Sequence, residues 1–150
     1  MPPPPSSNRC TTTDRVTDFD PQTRFAAADI ARLATVTPGG RPHLVPVVFA
    51  VAEQVVYTAV DGKPKSTQRL QRLANIEAEP QVSMLVDHYA DDWSQLWWVR
   101  ADGTAAIHHE GPTHQRGYDL LRAKYPHYQA VPLIGAVIAV AVEHWTFWKG

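Results

Sequence analysis

Apolar positions along the chain fall into short stretches of period two, broken by three stretches of helical spacing. At Asp20-Pro21 a good N-cap precedes a proline suited to the first helical position. Phe25, Ala26, Ile30 and Leu33 then recur at helical intervals, predicting a helix over 21–32. From Ala34 the period shifts to two. Pro38-Gly39-Gly40 separates a strand at 33–37 from a longer one at 42–52, in which both faces are largely apolar, as expected of a strand covered on both sides. Pro46 removes a ladder donor and predicts an interruption of the sheet there. A strand at 54–59 leads to the turn 60–64, after which Ser66 or Thr67 caps a helix that turns Leu70, Leu73 and Ala74 inward and Arg69 and Arg72 outward, stopping before Pro80. Strands follow at 81–88 and 96–109, the latter with a turn or bulge near Asp102-Gly103. A helix runs from Gly111-Pro112 to about Tyr125, and the alternating stretch from Ala136 to Trp148 reads as a last strand.

About six strands linked by hairpins, with about three helices, predict an α+β fold whose sheet is mainly antiparallel and rolled into a small barrel. Residues 1–18 contain four consecutive prolines followed by Ser, Asn and Thr, and read as a disordered tail ahead of one domain over 19–150. Five Trp and four Phe in one small domain, together with strands apolar on both faces, predict that one barrel surface meets another chain, making a homodimer.

Charge narrows the function. Fourteen Lys and Arg against fifteen Asp and Glu give a formal charge of −1, so no global field draws the chain to nucleic acid or an anionic membrane. The apolar run 133–142 is shorter than the roughly 20 residues of a membrane span. Cys10 is the only cysteine, so no intrachain disulfide is possible, and the expected location is cytoplasmic. His108, His109, Glu110 and His114 cluster in sequence, but without familiar ligand spacing, and no metal is expected. No nucleophile elbow, P-loop or dinucleotide fingerprint appears. Asp91-Asp92 reads as a solvated turn, and His43 as packed on its strand.

The segment 57–69 is the most informative. A strand end, a glycine turn, Lys63 and Lys65, the hydroxyls of Ser66 and Thr67, Arg69 and a helix N-terminus fall together, and such a set makes a local cradle for a phosphate. The consecutive Trp97 and Trp98 must point to opposite faces. Trp98 shares a face with Arg100, which pairs a flat aromatic surface with a cation.

Four stretches, at 31–47 (Ala-Arg-Leu-Ala-Thr-Val-Thr-Pro-Gly-Gly-Arg-Pro-His-Leu-Val-Pro-Val), 62–65 (Gly-Lys-Pro-Lys), 97–105 (Trp-Trp-Val-Arg-Ala-Asp-Gly-Thr-Ala) and 144–148 (His-Trp-Thr-Phe-Trp), together resemble the pyridoxamine 5'-phosphate oxidase-like split barrels. Within these FMN-binding split barrels, they resemble the deazaflavin-dependent (F420-dependent) oxidoreductase branch of actinobacteria. The resemblance implies a homodimer that holds a flat ring in a groove between subunits. It implies that Pro46 and Val47 flank the ring, that Thr58 and Ala59 lie beside the phosphate-bearing chain, and that Lys63 and Lys65 hold the phosphate. Ser66 and Arg69 extend this set on local chemistry, and Trp98 and Arg100 would approach from the same chain or its partner. FMN-type oxidases tend to carry an Arg and a Ser-Arg-Lys run about the phosphate, where this chain has His43 and Lys-Pro-Lys.

The implied activity is hydride transfer between reduced deazaflavin and a small unsaturated or aromatic acceptor, with the chemistry resident in the cofactor and no catalytic side chain singled out. The alternatives are an FMN-dependent oxidase or reductase on the same scaffold and a non-catalytic cofactor or haem carrier.

Overall fold

The computed structural model describes residues 19–60 and 67–150, with the side chains of 67–70 excepted. The elements are α1 (Pro21–Ala27), β1 (Ala31–Val36), β2 (Pro42–Val47), β3 (Ala50–Ala52), β4 (Val55–Ala59), α2 (Thr67–Ala78), β5 (Gln81–His88), β6 (Trp97–His108), α3 (Pro112–Lys124), α4 (His127–Ala130) and β7 (Val137–Lys149), with a 3-10 turn at Trp93–Gln95 between β5 and β6. The seven strands form one sheet in the order β2-β1-β5-β6-β7-β4-β3, every neighbouring pair antiparallel.

That order has a geometric consequence. β2 and β3 are the opposite edges of the sheet, yet only Val48 and Phe49 lie between Val47 and Ala50. Three peptide steps reach about 10 Å at most, so the sheet must curl until its edges almost meet. The result is an α+β split barrel, with a seam where β2 passes into β3.

The barrel interior holds the main core, with Phe25, Leu33, Phe49, Met84, Val99 and Ile138 among its members. A second cluster lies outside the sheet, where Tyr118 and Leu121 of α3 cover Tyr57, Val137 and Ala139. The residues of β4 after Val55, and the first four of β7, are therefore buried on both faces. In β2 only one face is covered. Val47 is buried and His43 and Val45 are half-buried, whereas Pro42, Leu44 and Pro46 are exposed. The apolar outer face of β2 thus differs from the expectation of a strand covered on both sides.

Three further differences concern single elements. The first helix ends at Ala27, well short of 32, because Lys124 Nζ donates to the carbonyl oxygens of Ala26 and Ala28 at 3.0 and 2.7 Å. Ala31, Leu33 and Thr35 then alternate inward as strand β1. Within α2, Ala74 is exposed while Asn75 and Ile76 are buried, so the covered face is rotated from the predicted one. Asn75 Nδ2 donates to Thr35 Oγ1 at 3.0 Å and its Oδ1 accepts from Gln71 at 2.6 Å, which satisfies the buried amide. The sheet interruption falls at Val48-Phe49, two residues beyond Pro46.

Strand β6 runs past Gly103 through a register shift opposite Glu143 in β7. A Cβ at Gly103 would collide with the carbonyl of Ala141, so the bulge requires glycine. Among the described residues there are four α-helices where about three were expected, the extra one being α4.

Candidate functional site

The seam creates the first cavity. A groove of about 330 Å³ is lined by Pro46, Val47, Val48, Thr58, Ala59, Arg72 and Tyr128. Four residues read from the sequence, Pro46, Val47, Thr58 and Ala59, come together there from two strands. β2 supplies the first two as it leaves one edge of the sheet, and β4 supplies the others from beside the opposite edge. The fully buried Thr58 hydroxyl donates to the Val48 carbonyl at 2.7 Å, fastening the crossing segment to β4. On its other side, Phe49 N–H donates to Tyr125 Oη at 3.0 Å, and that oxygen lies 2.9 Å from the carbonyl oxygens of both Asp29 and Phe49. Burial raises the Tyr125 phenol above its ordinary pKa, so the proton this link needs stays in place. Lys124 Nζ lies 3.9 Å from the centroid of the Phe49 ring, completing the support.

Three lining residues, Val48, Arg72 and Tyr128, were missed by sequence reasoning. Arg72 was placed on the outward face of its helix, but it is half-buried and lines the groove. Tyr128 belongs to α4, whose single turn produces too little periodicity to find; the aromatic run Tyr125-Pro126-His127-Tyr128 was the available signal. Lys63, Lys65 and Ser66 lie outside the described residues, and of Arg69 only its place in the first turn of α2 is described. On the inner face of β2, His43 stands opposite Thr35, and its Nδ1 is buried without a hydrogen-bond partner among the described residues.

Trp98 and Arg100 belong to a different cavity. About 540 Å³ of space on the outer face of the sheet is lined by Arg32, Ala34, Leu44, Ser83, Leu85, Asp87, Trp98 and Arg100. Its register is simple: Arg32 stands opposite Pro46 and Leu85, and Leu85 opposite Arg100. Pro46 lines the groove while its neighbour Arg32 lines the outer cavity, so the two adjoin across one strand pair.

The charges here are paired. Arg100 grips Asp102 through Nε and Nη2 at 2.9 and 3.1 Å, and Ser83 Oγ donates to the same carboxylate at 2.7 Å. Arg32 Nη1 lies 3.3 Å from Asp87 Oδ1.

Other candidates have structural employment. His114 Nε2 lies 3.0 Å from the Gly135 carbonyl oxygen, and its ring packs on Tyr118. Asp92 caps the 3-10 turn, and hydrogen bonds from the Ser94 hydroxyl and N–H hold its carboxyl below the usual pKa. Among the described residues no three His, Cys, Asp or Glu come together as metal ligands, and no helix is long and apolar enough to cross a membrane.

The donor set in the groove suits a flat, acid-bearing ring. Arg72 offers a cation, Tyr128 an aromatic face, and the backbone around Pro46 and Val48 a narrow wall.

Solved structures of the same fold come from several bacteria. A FAD-binding protein of Mesorhizobium loti is 17% identical, with a TM-score of 0.66 over 85% of this chain and 90% of its own. A conserved hypothetical protein of Mycobacterium tuberculosis is 21% identical, with a TM-score of 0.68 over 92% and 90%. The haem storage protein of Vibrio cholerae is 14% identical, with a TM-score of 0.64 over 87% and 93%. At these identities the likeness is one of fold. No curated protein matches the sequence. The family model for pyridoxamine 5'-phosphate oxidase matches residues 21–149, nearly the whole barrel and both cavities. By that match the chain belongs to the pyridoxamine 5'-phosphate oxidase family.

Proposed function

We propose that the protein is an F420-dependent oxidoreductase whose seam groove binds the deazaflavin. The observation that carries this reading is the groove itself, whose lining contains Pro46, Val47, Thr58 and Ala59 together with a cation, Arg72, and an aromatic ring, Tyr128. When bound, reduced deazaflavin supplies a hydride, and a small unsaturated or aromatic acceptor takes it together with a proton from solvent. The chain's own residues bind and orient. Pro46 and Val47 flank the ring, Thr58 and Ala59 border the chain that carries the phosphate, and Arg72 joins Lys63, Lys65, Ser66 and Arg69 in holding the acidic end. Trp98 and Arg100 act from the adjoining outer face, on the side where the acceptor approaches.

In this reading two copies pair, with each groove opening at the boundary between them, and residues 1–18 are a dispensable tail. The Lys-Pro-Lys sequence at 63–65 and His43 favour deazaflavin over FMN. A second reading, a carrier that binds a planar cofactor without turnover, draws support from the structural relatives described as FAD-binding and haem-storing.

Equilibrium titration of the purified protein with F420 and FMN side by side separates these readings. The proposal expects F420 to bind more tightly, and its reduced form to be oxidised when an acceptor is added. A yellow protein with an FMN spectrum supports the FMN enzyme, and tight binding with no turnover over a broad acceptor panel supports the carrier.

A further inference from the structure

Two donors converge on one carbonyl in the loop between α4 and β7. Tyr118 Oη donates to the Gly135 carbonyl oxygen at 2.5 Å, and His114 Nε2 lies 3.0 Å from the same oxygen. A carbonyl can only accept, so His114 carries its hydrogen on Nε2, and both lone pairs of that oxygen are taken. Burial raises the Tyr118 phenol above its ordinary pKa, against a smaller opposing effect of Arg122, so the donor keeps its hydrogen. Both donors stand on α3, four residues apart and therefore on one helix face. Leu133, buried in the second cluster, anchors the same loop two residues earlier.

What this loop touches is the end of β4. The last β4–β7 pair is Ala59 with Val137, and one further bond, from Val60 N–H to the Ala136 carbonyl at 2.8 Å, carries the ladder past it. Gly135 then lies against the Val60 carbonyl, so close that a Cβ would collide with its oxygen. Val60 directly follows Thr58 and Ala59, two lining residues of the seam groove, and the chain beyond it leads to α2, which brings Arg72 into the same groove. The position of Val60 thus sets where the β4 wall stops relative to the groove's cation.

We propose that Gly135 is a positioning residue for the cofactor's phosphate: clamped by Tyr118 and His114, it fixes the Ala59–Val60 end of β4 at the spacing from Arg72 that the phosphate needs. The role rests on the seam groove being the cofactor site, with the phosphate-bearing chain along Thr58 and Ala59. A side chain at 135 pushes Val60 away and lengthens contacts whose strength falls steeply with distance and angle. The ring end at Pro46 and Val47 is held by separate contacts, those of Thr58 with Val48 and Tyr125 with Phe49, and stays as it is. The loss of binding is therefore confined to the phosphate.

The test is equilibrium titration of the full chain with F420 and with 8-hydroxy-5-deazariboflavin, which shares its ring and ribityl chain but has no phosphate; FMN and riboflavin form a second such pair. The phosphate-bearing member of a pair should bind the natural chain at least about tenfold more tightly. Gly135→Ala should cut that ratio at least about fivefold and leave the phosphate-free member within about twofold, while Arg72→Gln, which removes the cation itself, gives the scale of a lost phosphate contact. Equal weakening of both members overturns the proposal, because it is the mark of a groove merely loosened, and so does an unchanged ratio. Should Gly135→Ala not fold, Tyr118→Phe decides. It keeps the ring and removes one of the two hydrogens, so the ratio should fall at least about threefold; an unchanged ratio or equal weakening again overturns the proposal. No phosphate preference in either pair removes the cofactor reading and this proposal with it. A preference that Arg72→Gln reduces and Gly135→Ala leaves intact removes only the positioning role.

Discussion

Lys124 sits in an environment unlike that of a solvated lysine. Burial between α1 and the Phe49 ring lowers its pKa to about 8, against a smaller opposing effect of Asp29. A neutral amine keeps two hydrogens, enough for Ala26 and Ala28, so its contacts persist as the proton leaves. Between pH 8 and the ordinary lysine value near 10.5 the unfolded chain holds a proton that the folded chain has released, and stability therefore rises with pH across that window. Urea midpoints of the natural chain measured against Lys124→Met at pH 7.5 and 9.5 should move in the natural chain's favour at the higher pH; an unchanged difference would contradict the assignment. Arg72 offers a second test. Arg72→Gln should weaken cofactor binding by about 1–3 kcal/mol, the scale of a charge-assisted hydrogen bond, and Lys65→Ala should have a similar effect, the latter with the melting temperature nearly unchanged. Arg72 escaped sequence reasoning for a physical reason: a charged residue on a helix is usually solvated, and only the packing of α2 over the seam turns this one into a groove.

At the level of elements, legibility followed the amount of local pattern. β5 was expected over 81–88 and occupies those residues, since Pro80 blocks a helix before it and Val82, Met84 and Val86 alternate cleanly inward. The end of α1 was not legible, because the lysine that donates to its last carbonyls comes from nearly 100 residues away. The β3–β4 hairpin turns at Glu53 and Gln54, both at positive φ, where Asn or Gly is the usual choice. Gln54 holds Gln22 and accepts from the Trp145 indole, which explains its retention, whereas Glu53 is exposed and meets only the Arg116 guanidinium, at 3.9 Å, a solvated pair worth little. Glu53→Asn should therefore stabilise the protein, by about 1 kcal/mol at most, seen as a raised melting temperature. Thr58→Val should do the reverse. It leaves the Val48 carbonyl without its buried donor and should cost about 1–3 kcal/mol in denaturant unfolding, with cofactor affinity falling as the seam loosens.

For the whole molecule, the sequence carried the fold class but not the closure. Strand lengths and hairpins pointed to an antiparallel barrel, while the pairing order that makes β2 and β3 its two edges depends on contacts distant along the chain. The candidate site was legible to the same degree. Pro46, Val47, Thr58 and Ala59 do line one groove, but Trp98 and Arg100 belong to the neighbouring cavity, because face alternation along a strand does not say which cavity that face borders. Deleting residues 1–18 should leave melting temperature and cofactor binding unchanged, because the buried Phe19, packed on Trp97 and Phe147, remains. A large drop in stability on that deletion would show that the domain extends further toward the N-terminus. The near-closure of the sheet also bears on solubility. A sheet that stops short of joining itself leaves two rims of backbone amides able to recruit foreign strands into fibrils. Here one rim is only three residues long and the other carries Pro42 and Pro46, which have no N–H to offer, so the barrel can stay ajar for a ligand without becoming a template for aggregation.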